Sequence, residues 1–375
     1  MSCRICIISP VHTQEDIRVF KKELSSLINT FSDGKFLLIC RSGQSEQVFD
    51  NDVNLFLLNY SNRLSRFLFQ PKIFIKALKF NADIYHIHNP DCLIIGLALK
   101  LSGKKVIYDT HENFKKKILL RDWIPKALRM VTASSVFYLE KLLTMVFDAT
   151  IVTQKEQLSQ YQRSFLVGNS PLYSNEYLAV SKQYRHSNVM KLVYIGGVSE
   201  DRGLTNMLEL TKKLNKKIPT QLTLIGPTIN SMTQDEIIER VSKYDNVSYN
   251  GSLPQSQAFN FAATCHFGLI MLDDVADYKD TNPNKLFEYM MLGIPFIASD
   301  FKNWVDLIAS EEAGIFLDSR NVTDKVVDNI ISIFSNTTVY YNMAHNGIRF
   351  ISECYNWKII DEPTLISIYN KVVRK

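Results

Sequence analysis

The sequence lacks any uncharged apolar run near the ~20 residues that a membrane-spanning helix needs, and it begins directly on a strand pattern. We therefore expect neither a transmembrane segment nor a signal peptide. It also lacks internal repeats and low-complexity tracts, which argues against solenoid and disordered classes. With 375 residues and 46% hydrophobic content, two or three domains can bury adequate cores. We expect a cytoplasmic globular protein, with peripheral contact to the inner face of the cytoplasmic membrane left open.

Cysteine is scarce, with six residues in the chain. Cys3 and Cys6 form a C-x-x-C, but they lie inside the strand pattern CRICIIS, whereas a redox pair belongs at a helix N-terminus. No group of cysteines and histidines has zinc-site spacing. The sequence therefore predicts buried, reduced thiols and a reducing compartment.

The net charge of +5 is small but unevenly distributed. Residues 63–79 carry five cations and no acid, and residues 113–129 carry six cations against Asp122. Cations interleaved with apolar residues suit an anionic membrane surface. Nucleic acid would also suit them, but no nucleic-acid module is visible and we expect no such partner. A solvated basic face is the plain alternative.

Residues 280–300, DTNPNKLFEYMMLGIPFIASD, combine a polar loop, a short amphipathic helix, a glycine stop and a buried strand. Asn282-Pro283 predicts a turn that leads into the first helical turn. Lys285 and Glu288 are three residues apart, so they occupy neighbouring positions on the helix surface. A helix N-terminus favours an anion, and a carboxylate there suits two hydroxyl groups, as on a ribose. An ordinary helix with a solvated Lys–Glu pair is the alternative.

This stretch resembles the nucleotide-sugar signature of retaining glycosyltransferase family 4. Its residues are most similar to those of the branch that acts on bacterial surface polysaccharides. The family pattern has two Glu separated by seven residues, and Asp280 and Glu288 have that spacing with Asp in first place. The resemblance implies that Asp280 holds hydroxyls of the donor sugar and Glu288 holds the ribose. It also places four further residues at the donor: Asn282, Pro283, Asn284 and Leu286.

Polar side chains cluster where the first strand meets its helix, at His12, Asp16 and Arg18. Ligands of doubly wound sheets bind at such strand ends. Many GT-B enzymes have a glycine-rich loop here, whereas this loop is similar to an H…D-x-R pattern of the polysaccharide branch. We place these residues on the acceptor side. The alternative is that Asp16 caps the helix and Arg18 makes a surface salt bridge.

Strand alternation over residues 84–88 puts His86 and His88 on one face, with Asn89 in the turn that follows. Two histidines suggest a metal, but no third ligand is nearby in the sequence. We therefore predict no metal, and either core packing or a place beside the acceptor for His88 and Asn89. The run YDTHEN resembles the family's YD-x-HE segment, which implies that His111 hydrogen-bonds the donor sugar.

The run KLVYIGGVSEDRGL predicts a strand, a glycine loop and a helix. Gly196-Gly197 would let the backbone approach a ligand closely, although a plain turn is the alternative. The run resembles the family's basic phosphate pair, with Gly197 in place of the Arg and Arg202 in place of the Lys. Lys285 is the nearest cation that could compensate. Three later turn residues are expected to border the base: Gly226, Pro227 and Gly251.

The alternation of strands and helices in both halves predicts an α/β protein with parallel sheets. The resemblance implies the GT-B fold, in which two Rossmann-like doubly wound domains face each other across a cleft and a C-terminal helix crosses back to the first domain. We place the acceptor domain at residues 1–170 together with 360–375. The donor domain is placed at 188–359, and the linker at 171–187.

The activity that the resemblance implies is transfer of a sugar from a UDP- or GDP-linked donor to a glycan or lipid-linked acceptor, in surface polysaccharide synthesis. Anomeric configuration would be retained, and neither a metal nor another cofactor would be required. The expected catalytic set is His111, Arg202, Asp280, Lys285 and Glu288. Its cations and helix amides would stabilise the leaving diphosphate.

Two other classes of function stay open. A GT-B-like nucleotide-sugar epimerase would need a base beside C2 of the sugar, and no carboxylate pair beyond Asp280 and Glu288 is a clear candidate. A catalytically inactive scaffold of a polysaccharide assembly would tolerate the departures at Gly197 and Asp280. Loss of activity on changing Glu288 would separate a transferase from a scaffold.

Overall fold

The structure is a computed structural model that describes residues 3–43, 53–60, 62–119, 124–176, 187–229, 232–275, 278–280 and 284–374, without the side chains of Arg63, Leu64 and Asp280. Its contacts divide the chain into an N-terminal unit, Met1–Asn169 with Trp357–Lys375, and a C-terminal unit, Ser170–Asn356. The sequence-based linker at 171–187 falls within the C-terminal unit's range, and most of it lies outside the described residues. None of the helices so described has the length and apolar character needed to cross a bilayer.

The N-terminal unit is built on a parallel sheet that has seven strands within the described residues, in the order β3-β2-β1-β4-β5-β6-β7. The strands are β1 Arg4–Thr13, β2 Lys35–Arg41, β3 Val53–Leu58, β4 Ile84–His88, β5 Lys105–Thr110, β6 Ala149–Val152 and β7 Ser164–Leu166. The central strands β1 and β4 are buried on both faces, which is the pattern of a sheet covered by helices on both sides.

Helices connect these strands. A π-helical stretch, Ile17–Leu24, continues directly into α1. The helices are α1 Ser25–Thr30, α2 Arg63–Leu68, α3 Gln70–Phe80, α4 Leu93–Leu101, α5 Phe114–Leu119 and α6 Lys126–Thr144, with short 3₁₀ turns at Pro90–Cys92 and Lys155–Gln157. Asp16 accepts a hydrogen bond from the Val19 amide, so the predicted N-cap is confirmed.

The C-terminal unit repeats the design on a parallel sheet with six strands among its described residues, in the order β10-β9-β8-β11-β12-β13. The strands are β8 Met190–Ile195, β9 Thr220–Ile225, β10 Val247–Tyr249, β11 Phe267–Ile270, β12 Phe296–Ser299 and β13 Gly314–Leu317. The helices are α7 Leu204–Asn215, α8 Gln234–Val241, α9 Gln255–Ala262, α10 Asn284–Met291, α11 Lys302–Ile308, α12 Asp324–Ser335 and α13 Thr337–Arg349. Three shorter helical segments are Tyr278–Asp280, Ala309–Glu311 and Phe350–Cys354.

The chain end returns to the N-terminal unit as α14, Trp357–Ile360, and α15, Glu362–Arg374. Tyr369 on α15 is buried and its hydroxyl lies 2.8 Å from Nδ1 of His86. Lys105 donates to the carbonyl oxygen of Val373 at 2.9 Å. The terminal helix is thus part of the first unit's packing.

Both sheets have the doubly wound order in which the first strand lies centrally and the winding reverses beside it. The prediction of two Rossmann-like sheets is confirmed. Ligands of such sheets bind outside the carboxyl ends of the strands at the reversal, which lies between β1 and β4 in one unit and between β8 and β11 in the other.

Candidate active site

The N-terminal unit places histidines at its reversal point. His12 lies in the last part of β1 and His111 directly after β5, and their ring centroids are 4.8 Å apart. Both are partly exposed, as is Asp16. Oγ of Ser9 lies 2.7 Å from Nδ1 of His12, which orients that ring. We call the carboxyl ends of the strands, with the residues that directly follow them, the rim of the sheet. These side chains form its solvent-accessible part.

Asn89 follows β4 with a positive φ of 67°, a region that non-glycine residues rarely adopt. Its amide donates to the carbonyl oxygen of Asp109 at 3.1 Å, and its side chain is buried. Arg18 and His88 are buried as well. These three residues therefore support the rim from below rather than line it.

Beneath the rim lies a buried polar cluster formed by Arg18, Glu23, His86, His88 and Asp109. Nη2 of Arg18 donates to Oδ2 of Asp109 at 2.9 Å, and its Nε lies 3.0 Å from Oε1 of Glu23. Arg18 also donates to the carbonyl oxygens of Val167 and Gly168. The alternative of a surface salt bridge at Arg18 is wrong, because this guanidinium is an internal cation.

Glu23 reaches this cluster because the helix after β1 is π-helical. With i→i+5 hydrogen bonds a π-helix holds more residues per turn than an α-helix, so positions five apart fall on one face. Arg18 and Glu23 are such a pair. A regular 3.6-residue period turns them apart, which is why the sequence pattern does not predict their contact.

Burial and pairing decide the charges within the cluster. Burial alone would raise the pKa of Asp109, but Arg18, His111 and His86 hold it below its usual value. Burial raises the pKa of Glu23 well above its usual value, because Arg18 offsets only part of the desolvation and Asp109 adds a like charge. Burial lowers the pKa of His86 to about 4. The cluster therefore pairs the cationic Arg18 with Asp109, whose ionised form these neighbours favour, beside Glu23, whose protonated form burial favours.

The potential ligand atoms of Glu23, His86, His88 and Asp109 lie within 4.8 Å of one another. The expectation that no further ligand accompanies the two histidines is wrong, because the helix and β5 deliver carboxylates to them. Arg18, however, already places a cation within 3.0 Å of both carboxylates. We therefore keep the prediction of no metal, on the ground that the charge a divalent ion would supply is already present.

In the C-terminal unit, glycine loops gather at the ends of β8, β9 and β10. The Gly226 amide donates to the carbonyl oxygen of Gly251 at 2.7 Å, and the Val198 amide donates to that of Pro227 at 2.8 Å. A Cβ on Gly226 would overlap the carbonyl group of Gly196, so the two loops can approach this closely only because Gly226 has no side chain. A Cβ on Gly197 would lie 2.7 Å from the side chain of Ile229. These backbone turns together form the rim of the C-terminal sheet at the ends of β8, β9 and β10.

Helix α10 is joined to this rim by Tyr289, a residue that the sequence interpretation overlooked. The Tyr289 hydroxyl accepts from the Ile195 amide at 2.9 Å and donates to the carbonyl oxygen of Val193 at 3.4 Å. Its ring lies where a side chain on Gly268 would otherwise be. The sequence shows a tyrosine on the apolar side of an amphipathic helix, but not which strand it contacts.

Lys285 and Glu288 lie on the first two turns of α10 and contact each other at 2.5 Å. Their side chains are 29% and 14% exposed, so the pair is only partly solvated. Asn284 begins the helix and is partly exposed, whereas Leu286 is fully buried in the core. The pair therefore presents both charges at the N-terminal half of the helix.

Arg202 lies just before α7 and packs on Tyr278, with the guanidinium carbon 4.5 Å from the ring centroid and Nε 3.1 Å from the hydroxyl. Tyr278 begins the 3₁₀ turn that ends at Asp280. The contact brings the cation after the glycine loop to the segment that leads into α10. The Asp280 side chain, Asn282 and Pro283 lie outside the described residues.

Comparison with known proteins agrees with this architecture. Residues 190–336, less than half of the chain, match the family model "Glycosyl transferases group 1". A search of curated proteins by sequence finds no match. Sucrose-phosphate synthase from Thermosynechococcus elongatus is similar in structure, with a TM-score of 0.72, 15% identity and 99% of each chain covered.

Two further solved structures are similar. HepE of Anabaena, in complex with UDP-glucose, has a TM-score of 0.64 at 12% identity, with 99% of this chain and 98% of that chain covered. WaaG, a glycosyltransferase involved in lipopolysaccharide biosynthesis, has a TM-score of 0.67 at 11% identity, with 97% and 99% covered. At such identities the likeness establishes the fold, and the chain has the two-domain GT-B fold.

Proposed function

We propose that this protein is a glycosyltransferase that transfers a sugar from a UDP- or GDP-linked donor to a glycan or lipid-linked acceptor. The observation that carries the proposal is the arrangement of α10, which carries the Lys285–Glu288 pair and is held by Tyr289 against the end of β8, just before Gly196 and Gly197. This arrangement lies in the part of the chain that matches the group 1 glycosyl transferases. It offers backbone amides, cations and a carboxylate, which together suit a nucleotide diphosphate.

The chemistry requires stabilisation of a leaving nucleoside diphosphate. Arg202 and Lys285 are the cations that we assign to the phosphates, with helix N-terminal amides beside them. Glu288 would accept hydrogen bonds from the ribose hydroxyls, and Asp280 and His111 would contact the sugar. Retention of anomeric configuration and independence of a metal are part of this proposal.

Titration calorimetry with UDP, GDP and ADP tests the donor site. We expect one of these nucleotides to bind, with UDP favoured because HepE was solved with UDP and with UDP-glucose. Glu288→Ala should weaken that binding at least ~10-fold, since it removes charge-assisted hydrogen bonds of ~1.5–3 kcal/mol each.

Asp306→Ala is the matched control, because Lys302–Asp306 is another Lys–carboxylate pair on a helix of the same unit, at 2.7 Å and exposed. It should leave nucleotide affinity unchanged. An equal loss in both variants would show that Glu288 acts only through helix stability.

The departure at Gly197 favours one other function, a scaffold without catalysis. Ile229 occupies the space beside Gly197, so a larger side chain fits there only if Ile229 moves. Absence of binding by all three nucleotides would support the scaffold and reject the transferase. If a nucleotide binds, product analysis by NMR after turnover in EDTA tests retention and metal independence together.

We further propose that the N-terminal unit contacts an anionic membrane through α6. Exposed apolar side chains recur along one side of this helix at intervals of three, seven and four residues, at Leu128, Val131, Tyr138 and Leu142, each more than half exposed. Glu140, the acid within α6, is buried, so the exposed surface of the helix carries cations and apolar groups but no acid. This composition suits the interface of an anionic bilayer.

The lysines that first suggested a membrane contact are less available than the sequence implies. Lys116 lies 3.6 Å from Glu156, Lys117 pairs with Glu112, and Lys115 packs over the ring of Phe137. Residues 120–123 of the same stretch lie outside the described residues. We therefore assign the larger part of the membrane affinity to α6.

Sedimentation with vesicles containing anionic lipid tests this surface. Val131→Ser with Leu142→Ser should lower binding several-fold, whereas Ile238→Ser, at a half-exposed position in the other unit, should not. Changing Lys115, Lys116 and Lys117 to Ser should have the smaller effect. Unchanged binding in the α6 variant would reject this surface.

A further inference from the structure

Three side chains, Glu23, His88 and His111, lie in a row from the interior of the N-terminal unit to its rim. Nδ1 of His88 lies 2.7 Å from Nε2 of His111, and Nε2 of His88 lies 3.5 Å from Oε2 of Glu23. Glu23 and His88 are fully buried, whereas His111 is partly exposed at the rim. The row thus links an internal carboxyl group to a rim imidazole.

We propose that Glu23 and His88 form a relay that sets which ring nitrogen of His111 carries the proton. Glu23 and His88 are positioning residues in this proposal, since neither reaches the rim. The role of His111 toward a donor sugar rests on the proposed function, but the proton arrangement does not.

Two arrangements satisfy the 2.7 Å contact between the rings. If Glu23 is ionised, it accepts a hydrogen bond from Nε2 of His88, and Nδ1 of His88 must then accept from Nε2 of His111. If Glu23 carries a proton, it donates to Nε2 of His88, and Nδ1 of His88 then donates to Nε2 of His111. The first arrangement leaves Nδ1 of His111 as an acceptor, and the second makes it a donor.

The surroundings of Glu23 select the second arrangement. The guanidinium of Arg18 makes its side-chain hydrogen bond to Asp109 and places its Nε 3.0 Å from Oε1 of Glu23. Oε2 of Glu23 has no hydrogen-bond partner among the described residues and lies 3.5 Å from Nε2 of His88. A single buried cation does not balance two buried carboxylates, so one of them takes up a proton. The unpartnered atoms of Glu23 and His88 face each other, and a shared proton satisfies both.

We therefore infer that His111 is held with its proton on Nδ1, ready to donate a hydrogen bond. A freely rotating histidine would populate both neutral tautomers. A donor at this position suits a sugar hydroxyl or a phosphate oxygen, whereas an acceptor would exclude the phosphate.

The same cluster could instead bind a divalent cation, and the experiment must separate the two. In that case Nε2 of His88 would be a metal ligand and could not receive a proton from Glu23. Arg18 argues against the ion, as described above, and elemental analysis of the purified protein decides the matter. A stoichiometric divalent metal that is lost in His88→Asn would overturn the relay.

Long-range ¹H–¹⁵N spectra of protein labelled at histidine nitrogen report the tautomer of each ring. The chain has seven histidines, and His111→Gln assigns the signal of interest. We expect the His111 signal of the unaltered protein to be that of the Nδ1–H tautomer. A pure Nε2–H tautomer would overturn the proposal.

Glu23→Gln and Glu23→Leu form the informative pair. Arg18 Nε lies beside Oε1, so the amide oxygen of Gln should take that position and its NH₂ should face His88. Glu23→Gln should therefore preserve the Nδ1–H tautomer, and Glu23→Leu should give a mixture. Equal tautomer populations in the two variants would contradict the relay.

Tyr369→Phe is the control, because it removes a hydroxyl that contacts His86 in the same buried cluster but outside the relay. It should leave His111 unchanged, and a shift as large as that of Glu23→Leu would indicate general loosening. If Glu23→Leu fails to fold, His88→Asn replaces it, since Asn can reach His111 but not Glu23, and a mixed tautomer is again expected.

Activity gives the second readout if the proposed transfer is observed. Glu23→Gln should keep most of kcat, while Glu23→Leu should lower kcat about 10-fold with little change in KM for the acceptor. Without nucleotide binding, the proposed function fails while the tautomer result still tests the relay.

Discussion

The two units share one strand order, but their charged side chains lie in different places. In the N-terminal unit the buried residues include Arg18, Lys22, Glu23, Asp109, Glu140 and Asp361. In the described part of the C-terminal unit, no Asp, Glu, Lys or Arg is buried, and Arg202, Lys285 and Glu288 keep some exposure. One sheet thus holds ionisable groups inside, and the other presents them at its rim.

This difference has a physical consequence. Buried ion pairs lose hydration and are strongly destabilising when one partner is removed, whereas partly exposed charges remain available to a ligand at little cost. The N-terminal unit can therefore hold fixed protonation states around His111. The charged side chains of the C-terminal unit can pair with an incoming diphosphate.

The largest expected effect concerns Arg18, a buried cation of the N-terminal unit. Arg18→Met removes the cation between Asp109 and Glu23, and we expect it to destabilise the N-terminal unit by about 3–5 kcal/mol. Hydrogen exchange should accelerate in β1, β4 and β5 but not in β8 to β12. Uniform acceleration in both units would show that they unfold as one and that the contrast is not local.

Glu140 provides a pH test of the same contrast. It is buried against the hydroxyls of Tyr108 and Tyr161, and burial raises its pKa from 4.5 to about 7. The folded state then binds the proton more tightly than the unfolded state, so this group's stabilisation is full below about pH 4.5 and is lost as pH rises through about 7.

The loss amounts to about 3 kcal/mol relative to Glu140→Gln, which has no titrating group there. Urea unfolding of both proteins at several pH values between 4.5 and 8 measures it. Parallel pH profiles for the two proteins would contradict the prediction.

Arg202 tests the rim charges of the C-terminal unit. Arg202→Ala should weaken binding of the preferred nucleoside diphosphate about 10–100-fold, because a charge-assisted contact to phosphate is lost. Affinity for the corresponding nucleoside should not change, whereas Glu288→Ala should weaken both. Calorimetry with UDP and uridine, or the guanosine pair, separates the two roles, and equal losses for nucleoside and diphosphate in Arg202→Ala would count against a phosphate contact.

The smallest effect concerns the support of α10. Tyr289→Phe removes two hydrogen bonds while it fills the same space, and we expect a destabilisation of about 1–2 kcal/mol. The Ile195 amide, which donates to that hydroxyl, should exchange faster. Tyr249→Phe, whose hydroxyl donates to the carbonyl oxygen of Gly226 at a partly exposed site, should cost less. A larger loss of stability in Tyr249→Phe than in Tyr289→Phe would contradict our expectation that the more buried hydroxyl contributes more.

Much of the fold was predictable because local pattern and topology agree. The alternation over residues 84–88 correctly placed His86 and His88 on one face, and their ring centroids are 4.3 Å apart. The helix within residues 280–300 was expected from the spacing of its apolar residues and observed as Asn284–Met291. Hydrophobic period, capping residues and glycine stops are local signals, so they can be interpreted without knowing which distant segments pack against them.

The missed contacts depend on residues distant in the chain. Glu23 meets His88 across 65 positions only because a π-helical stretch turns it inward and β4 lies beside β1. Tyr289 reaches Ile195 only because Gly268 leaves room for its ring. Neither contact leaves a periodic trace in the sequence.

The amino-acid sequence therefore determines the two parallel sheets, the polar residues at their strand ends and helix α10. Each of these follows from short-range periodicity and turn chemistry. The tertiary structure alone decides which of those polar residues are internal and which are accessible, and hence their charges. A pKa depends on burial and on the nearest charges, and both are properties of how distant segments pack.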